Sequence, residues 1–294
     1  MSLTSLGPEA IAAKLYRSDR VHTPLASLEA IDEKAIEFFR AQGFLAVENV
    51  FTRDEVEAAK AGLSHLIAGG NPQFKNCQFE NGVDVSGLSG EALENYVRKI
   101  MSFCDFDPRL HAIAHHPKML QIVRRILGSD VKMIQDMALL KPARVGREKP
   151  WHQDTAYFLY EPLDGILGTW TALDSATIEN GCMHVIPASH LQGPRPHYHD
   201  RDCQLADEEV DVDRDVVVPL APGGVLFFSG LLHHGTPPNR SAARRRALQF
   251  HYMSANCRKM ESAEHQRYFK EPAGYAGCTG FQTNIPGLPI AKKT

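Results

Sequence analysis

Between residues 131 and 253 the chain is cut into short apolar runs by turn residues, and this restricts its possible folds more than any other feature. The runs are 131–140, 166–173, 182–186, 216–220, 225–228 and 247–253, and Lys141-Pro142, Asn180-Gly181, Ala221-Pro222-Gly223-Gly224 and Pro237-Pro238-Asn239 separate them. Runs of this length bounded by Gly, Pro and Asn read as strands of a β-sandwich or barrel. None approaches the 18 or so residues that a membrane span requires. The first 130 residues read differently. Ile31, Ala35, Phe38 and Phe39 lie at helical spacing over 31–42, and Gly43 is placed to end that helix. Phe44–Val47 reads as a short strand. Thr52 with Glu55 forms a capping box, and Val56, Ala59, Leu63 and Ile67 continue a helix up to Gly69-Gly70. Residues 109–127 are helical around a break at Pro117. Helices that cover one sheet of a β core make one domain rather than two. The expectation is therefore a single domain over 1–294: helical to about residue 130, a β core over about 131–255, and a C-terminal extension from 256.

Composition narrows the classes. Of 294 residues, 43% are hydrophobic and 23% charged, as in a soluble globular protein. Lys and Arg number 32 against 35 Asp and Glu, a net charge of −3, so no broad basic field exists to bind nucleic acid. Cys77, Cys104, Cys182, Cys203, Cys257 and Cys278 form no C-x-x-C pair, and scattered single thiols suit a reducing compartment. With no signal-peptide pattern and no membrane span, the expectation is a cytoplasmic protein with no membrane, nucleic-acid or obligate protein partner. Residues 200–215 carry eight acids against Arg201 and Arg214. They read as a solvated surface excursion or, alternatively, as a lid between strands.

The chain holds 14 histidines, and two of them belong to a constellation. Trp151-His152-Gln153-Asp154 contains H-x-D, a weak pattern by itself. On extended backbone, however, residues i and i+2 face the same way, so His152 and Asp154 converge while Gln153 turns aside. Leu232-His233-His234-Gly235 supplies a third ligand about 80 residues on. Two imidazoles and one carboxylate form the facial triad of non-haem Fe(II) oxygenases. A zinc hydrolase using the same two imidazoles and carboxylate competes with that reading, as does a metal-binding protein without turnover, and His184, His190 and His251 are equally ligands or core groups at this stage. Arg244-Arg245-Arg246 then enters the last apolar run. Along a strand Arg245 points opposite to its neighbours, so one guanidinium can enter the barrel, where it needs an anion. A metal beside such a clamp suits a dicarboxylate cosubstrate such as 2-oxoglutarate.

Several ordered blocks resemble the phytanoyl-CoA dioxygenase family of Fe(II)/2-oxoglutarate oxygenases. They are Met137 to Pro142, Trp151 to Asp154, Leu167 to Leu173, Glu179 to Cys182, Ile186 to His190, the Pro222-Gly223-Gly224 turn, Leu232 to Gly235, and Arg245. The resemblance implies a mainly β fold, a double-stranded β-helix (jelly roll, cupin-like) with flanking helices. It implies Fe(II) on His152, Asp154 and His234, with 2-oxoglutarate and O2 as cosubstrates. Arg245, eleven residues beyond His234, matches the arginine that grips the far carboxylate of 2-oxoglutarate. Trp170, Met137, Gln153, Lys99 and Thr236 match positions near the cosubstrate. Gln135, Tyr157, Phe158 and Met183 are candidates for the substrate side, and strand alternation would allow at most one of Tyr157 and Phe158 into the pocket. The implied reaction is hydroxylation, or another C–H oxidation, of a small molecule, with 2-oxoglutarate converted to succinate and CO2. The carboxylate of Asp154 argues against halogenation, because related halogenases lack it.

Overall fold

The computed structural model describes residues 7–269. Two antiparallel sheets form its centre. Their strands, in chain order, are β1 (Phe44–Val47), β2 (Cys77–Phe79), β3 (Val97–Met101), β4 (Val131–Lys141), β5 (Lys149–His152), β6 (Ile166–Ala172), β7 (Met183–Val185), β8 (Val216–Val218), β9 (Val225–Ser229), β10 (His234–Thr236) and β11 (Arg245–Ser254). The larger sheet has the order β1-β9-β6-β11-β4-β3-β2, and the smaller has the order β8-β7-β10-β5. Each apolar run expected to be a strand is one. The double-sheet jelly roll follows from this order, in which β1, β9, β6, β11 and β4 are paired side by side although far apart in sequence.

The alternation of side chains sorts the large sheet into two faces. Leu45, Val47, Val225, Phe227, Leu248, Phe250 and Tyr252 point outward into a core shared with the helices. Those helices are Glu33–Gln42, Arg53–Ile67, Pro108–Ala114 and Pro117–Leu127. Their ends lie where the sequence put them: Gly43 and Gly128 adopt left-handed C-caps, and Thr52 and Glu55 form the reciprocal capping box. The opposite face, with Phe44, Ala46, Trp170, Ala172, Leu226, Phe228 and Ala247, packs against Met183, Val185, Val217 and Val218 of the small sheet. The interior between the sheets is therefore apolar at one end. Polar side chains occupy the other end.

Residues 200–215 are neither a solvated excursion nor a free lid. Leu205 and Val210 are buried with Ile11, Leu15 and Trp151. Four of the eight acids have cationic or imidazole partners at hydrogen-bonding distance: Asp202 accepts from Arg98 (3.0 Å) and Lys149 (3.1 Å), Asp207 from Arg201 (2.6 Å), Asp213 from Arg17 (2.5 Å), and Asp215 from His184 (2.8 Å). A fifth, Asp200, lies 3.6 Å from Arg201. Most of these partners stand on other elements, so the loop folds down instead of solvating.

The expectation of six single thiols needs one correction. Cys77, Cys104, Cys182 and Cys257 are free, but Cys203 is disulfide-bonded, and Cys278 lies outside the described residues. Most of the expected C-terminal extension, from residue 270, lies outside them too. Among the described residues no helix is long and apolar enough to cross a membrane.

Candidate active site

The polar end takes its three metal-ligand candidates from β5, the turn after it, and β10. β5 ends at His152, Gln153 continues the extended backbone, and Asp154 opens a one-turn 3-10 helix, Asp154–Tyr157. β10 begins at His234, directly opposite His152 in register. One ligand atom from each of His152, Asp154 and His234 can be chosen so that all three lie within 4.8 Å of one another, and all three residues are buried. The Nδ1 of His152 lies 2.8 Å from the Pro150 carbonyl, and that of His234 lies 2.9 Å from the Leu232 carbonyl. A carbonyl only accepts, so each Nδ1 carries the proton and donates it. Each Nε2 is left with a free lone pair. These lone pairs lie 3.1 Å and 3.6 Å from the two Asp154 oxygens. Burial lowers the pKa of His152, and lowers that of His234 to about 3. Burial pushes the Asp154 carboxyl up, but the imidazoles of His234 and His251 outweigh it and hold it well below its usual value. Two neutral imidazoles and one carboxylate with convergent lone pairs are the donor set that iron(II) takes.

Behind the triad, Phe228 packs its ring 4.7 Å from that of His234. Gly168 makes room for it, since a Cβ there would lie 2.3 Å from the Phe228 ring. Gln153 is fully buried. Its amide donates to the carbonyls of Gly193 (2.9 Å) and Leu231 (2.7 Å) and accepts from the Arg195 N–H (2.8 Å). That side chain is committed to the backbone around it, so it fixes the ligand-bearing segment.

The arginine triplet divides by face as alternation requires. Arg246 forms a fork with Asp174 (2.8 and 2.9 Å) and reaches Glu94 at 3.1 Å, while Arg244 reaches Glu94 at 3.2 Å. Arg245 is 1% exposed and has no acidic partner among the described residues. It donates to the Leu139 carbonyl at 3.3 Å and lies 5.1 Å from the centre of the Trp170 ring. Burial lowers its pKa to about 10. Its Nε and the Trp170 Nε1 have no hydrogen-bond partner. A buried guanidinium left unpaired is costly, so this pocket is built for an anion. Beside it, Lys141 donates to the carbonyls of Arg147, Thr236 and Pro237. Thr236 sits two residues past His234 on β10. Met137 lies opposite Gln249 in register, and Gln135 lies opposite His251. Lys99, opposite Leu139 on β3, is held to a pKa of about 8 by burial and by Lys149. Met183 is buried in the apolar layer between the sheets.

Tyr157 and Phe158 correct the alternation argument. The chain is a 3-10 turn here, so both rings approach the site: Tyr157 sits edge-on to His152 at 6.0 Å, and Phe158 lies 4.9 Å from His251. His184 and His190 are not part of the site. His184 pairs with Asp215, and His190 is bonded to the Arg40 carbonyl. The sequence reading missed Gln249 and left His251 open. Both touch Oδ2 of Asp154, at 2.9 and 2.7 Å. A partial signal was present: Gln249 and His251 interrupt the apolar run on the face that Arg245 occupies, which marks their face but not their partner.

This fold and this site together define a non-haem iron- and 2-oxoglutarate-dependent dioxygenase. The sequence model of phytanoyl-CoA dioxygenases matches residues 39–247, and the chain belongs to that family. It is 26% identical over 233 residues to a probable phytanoyl-CoA dioxygenase of Caenorhabditis elegans, covering 73% of each chain. It is 27% identical to the rat phytanoyl-CoA dioxygenase domain-containing protein 1, covering 74% of this chain and 88% of that one. Among solved structures, EvdO2 of Micromonospora carbonacea in complex with 2-oxoglutarate is 26% identical, with a TM-score of 0.63 over 86% of this chain and all of that one.

Proposed function

We propose that the chain hydroxylates, or otherwise oxidises a C–H bond of, a small-molecule substrate while converting 2-oxoglutarate to succinate and CO2. The observation that carries this is the buried, unpaired guanidinium of Arg245 in the same barrel as the His152–Asp154–His234 triad. In this reading the triad holds Fe(II), which when bound supplies the O2 chemistry that couples decarboxylation to substrate oxidation. Arg245 grips the far carboxylate of 2-oxoglutarate as a charge-assisted fork. Trp170 and Met137 wall the cosubstrate channel, with Thr236 and Lys99 offering it polar contacts. Tyr157, Phe158 and Gln135 line the substrate side and exclude water from the reacting centre, and Met183 closes the channel floor.

The test is anaerobic titration of Fe(II) and 2-oxoglutarate into the protein, followed by O2. The expected outcome is a visible metal-to-ligand charge-transfer band, and succinate release once O2 is admitted. Asp154→Ala should lose both by loosening the metal. A native protein that forms no band overturns the reading.

A further inference from the structure

We propose that His251 and Gln249 are positioning residues that keep Asp154 a one-oxygen metal ligand; the inference rests on the function proposed above. Both residues lie on β11, on the inward face that also carries Arg245. The His251 Nε2 is 2.7 Å from Asp154 Oδ2, and the Gln249 amide nitrogen is 2.9 Å from that same oxygen. A carboxylate oxygen accepts, so both neighbours donate to it. His251 is therefore the Nε2–H tautomer. The 3.2 Å between its Nε2 and the Gln249 nitrogen is then the approach of two donors to a shared acceptor. With Oδ2 engaged by two donors, Oδ1 is the oxygen left with no donor, beside the His152 lone pair at 3.1 Å, while the His234 lone pair stands 3.6 Å from Oδ2.

His251 does not belong to the set of three groups whose donor atoms converge within 4.8 Å, so it acts through Asp154. It is 1% exposed and braced by Phe158 at 4.9 Å and Phe228 at 6.4 Å. Gln249 is 3% exposed and sits between Met137 and Trp170 in register. A carboxylate free to rotate can bind a metal through both oxygens and take up one position more. Two donors on Oδ2 would oppose this, and so would leave room at the metal for the keto acid and O2.

The test measures metal affinity, not turnover. Mn(II) is titrated into the metal-free protein and free Mn(II) is read by EPR, for the native chain, His251→Phe, His251→Gln and Gln249→Leu. Outer partners of metal ligands typically contribute about 10- to 100-fold in affinity. His251→Phe and Gln249→Leu should each weaken Mn(II) binding by about tenfold or more. His251→Gln, which retains an N–H donor, should recover most of that loss. Thermal melting of the metal-free variants separates a folding defect from a lost donor: only the lost donor is rescued by Gln. If His251→Phe and Gln249→Leu bind Mn(II) within about twofold of native, or if Gln rescues nothing, the positioning role is wrong. If the native chain itself binds no Mn(II), it is the proposed function that fails.

Discussion

At the residue scale, the division of labour in Arg244-Arg245-Arg246 is the sharpest feature of the molecule. Three identical side chains in a row have different surroundings because a strand sends alternate residues to opposite faces. The outer two meet Asp174 and Glu94, and the inner one meets no acid among the described residues. Arg245→Ala should therefore raise the 2-oxoglutarate KM by about 10- to 100-fold with the metal site intact, the scale of a lost charged hydrogen bond. Arg244→Ala should leave that KM within about twofold. Succinate release against 2-oxoglutarate concentration distinguishes the two, and an unchanged KM in Arg245→Ala would move the clamp elsewhere. This alternation was legible in the sequence, as was the pairing of His152 with Asp154. The roles of Gln249 and Gln153 were not. Each is decided by which partner lies across a turn or a strand, and that information exists only after the chain has folded.

At the scale of elements, helices and strands could be read because caps and periodicity are local. The loop at 200–215 could not, because most of its paired acids are neutralised by residues distant in sequence. Arg201 is central to it. Its guanidinium spans both Asp207 oxygens, at 2.6 and 2.8 Å, and reaches Glu148 at 3.1 Å. Removing it should raise the population of the open loop. A loss of about 1.4 kcal/mol corresponds to tenfold faster cleavage when opening is fast. Limited proteolysis of native protein and Arg201→Ala with an acid-specific protease should show this ratio at Glu208 or Glu209. Equal rates would mean the loop is held by its other ion pairs and its buried Leu205 and Val210, without Arg201. The 3-10 turn after Asp154 is a second element that pattern reading misassigned. Its geometry brings two aromatic rings to the site where a strand would bring one.

At the scale of the whole molecule, the buried histidines couple stability to pH. His197 donates through Nδ1 to the Arg195 carbonyl and accepts the Gln153 N–H at Nε2. Protonation would set a donor against a donor. Burial lowers its pKa to about 3, and lowers that of His233 to about 4. An unfolded histidine takes its proton near pH 6.5, so between that value and the folded pKa the unfolded chain binds more protons. Stability contributed by these groups is full above about pH 6.5 and falls as pH drops, by up to about 1.4 kcal/mol per unit for each group. Urea unfolding of the metal-free protein at pH 7.5, 6.5 and 5.5 should show a midpoint constant at first and then falling. His197→Gln should make the fall shallower, and an unaltered slope would exclude His197 as a source.

One strand also serves as a gauge. β11 presents Arg245 at one station and Gln249, which touches Asp154, four residues further on, a backbone rise of about 13 Å. Because both stations belong to one rigid strand in the middle of the large sheet, their separation cannot adjust to the guest. If Arg245 grips the far carboxylate as proposed, a keto diacid one methylene shorter or longer than 2-oxoglutarate should compete with it weakly for the site. On that reading, the backbone itself selects for chain length.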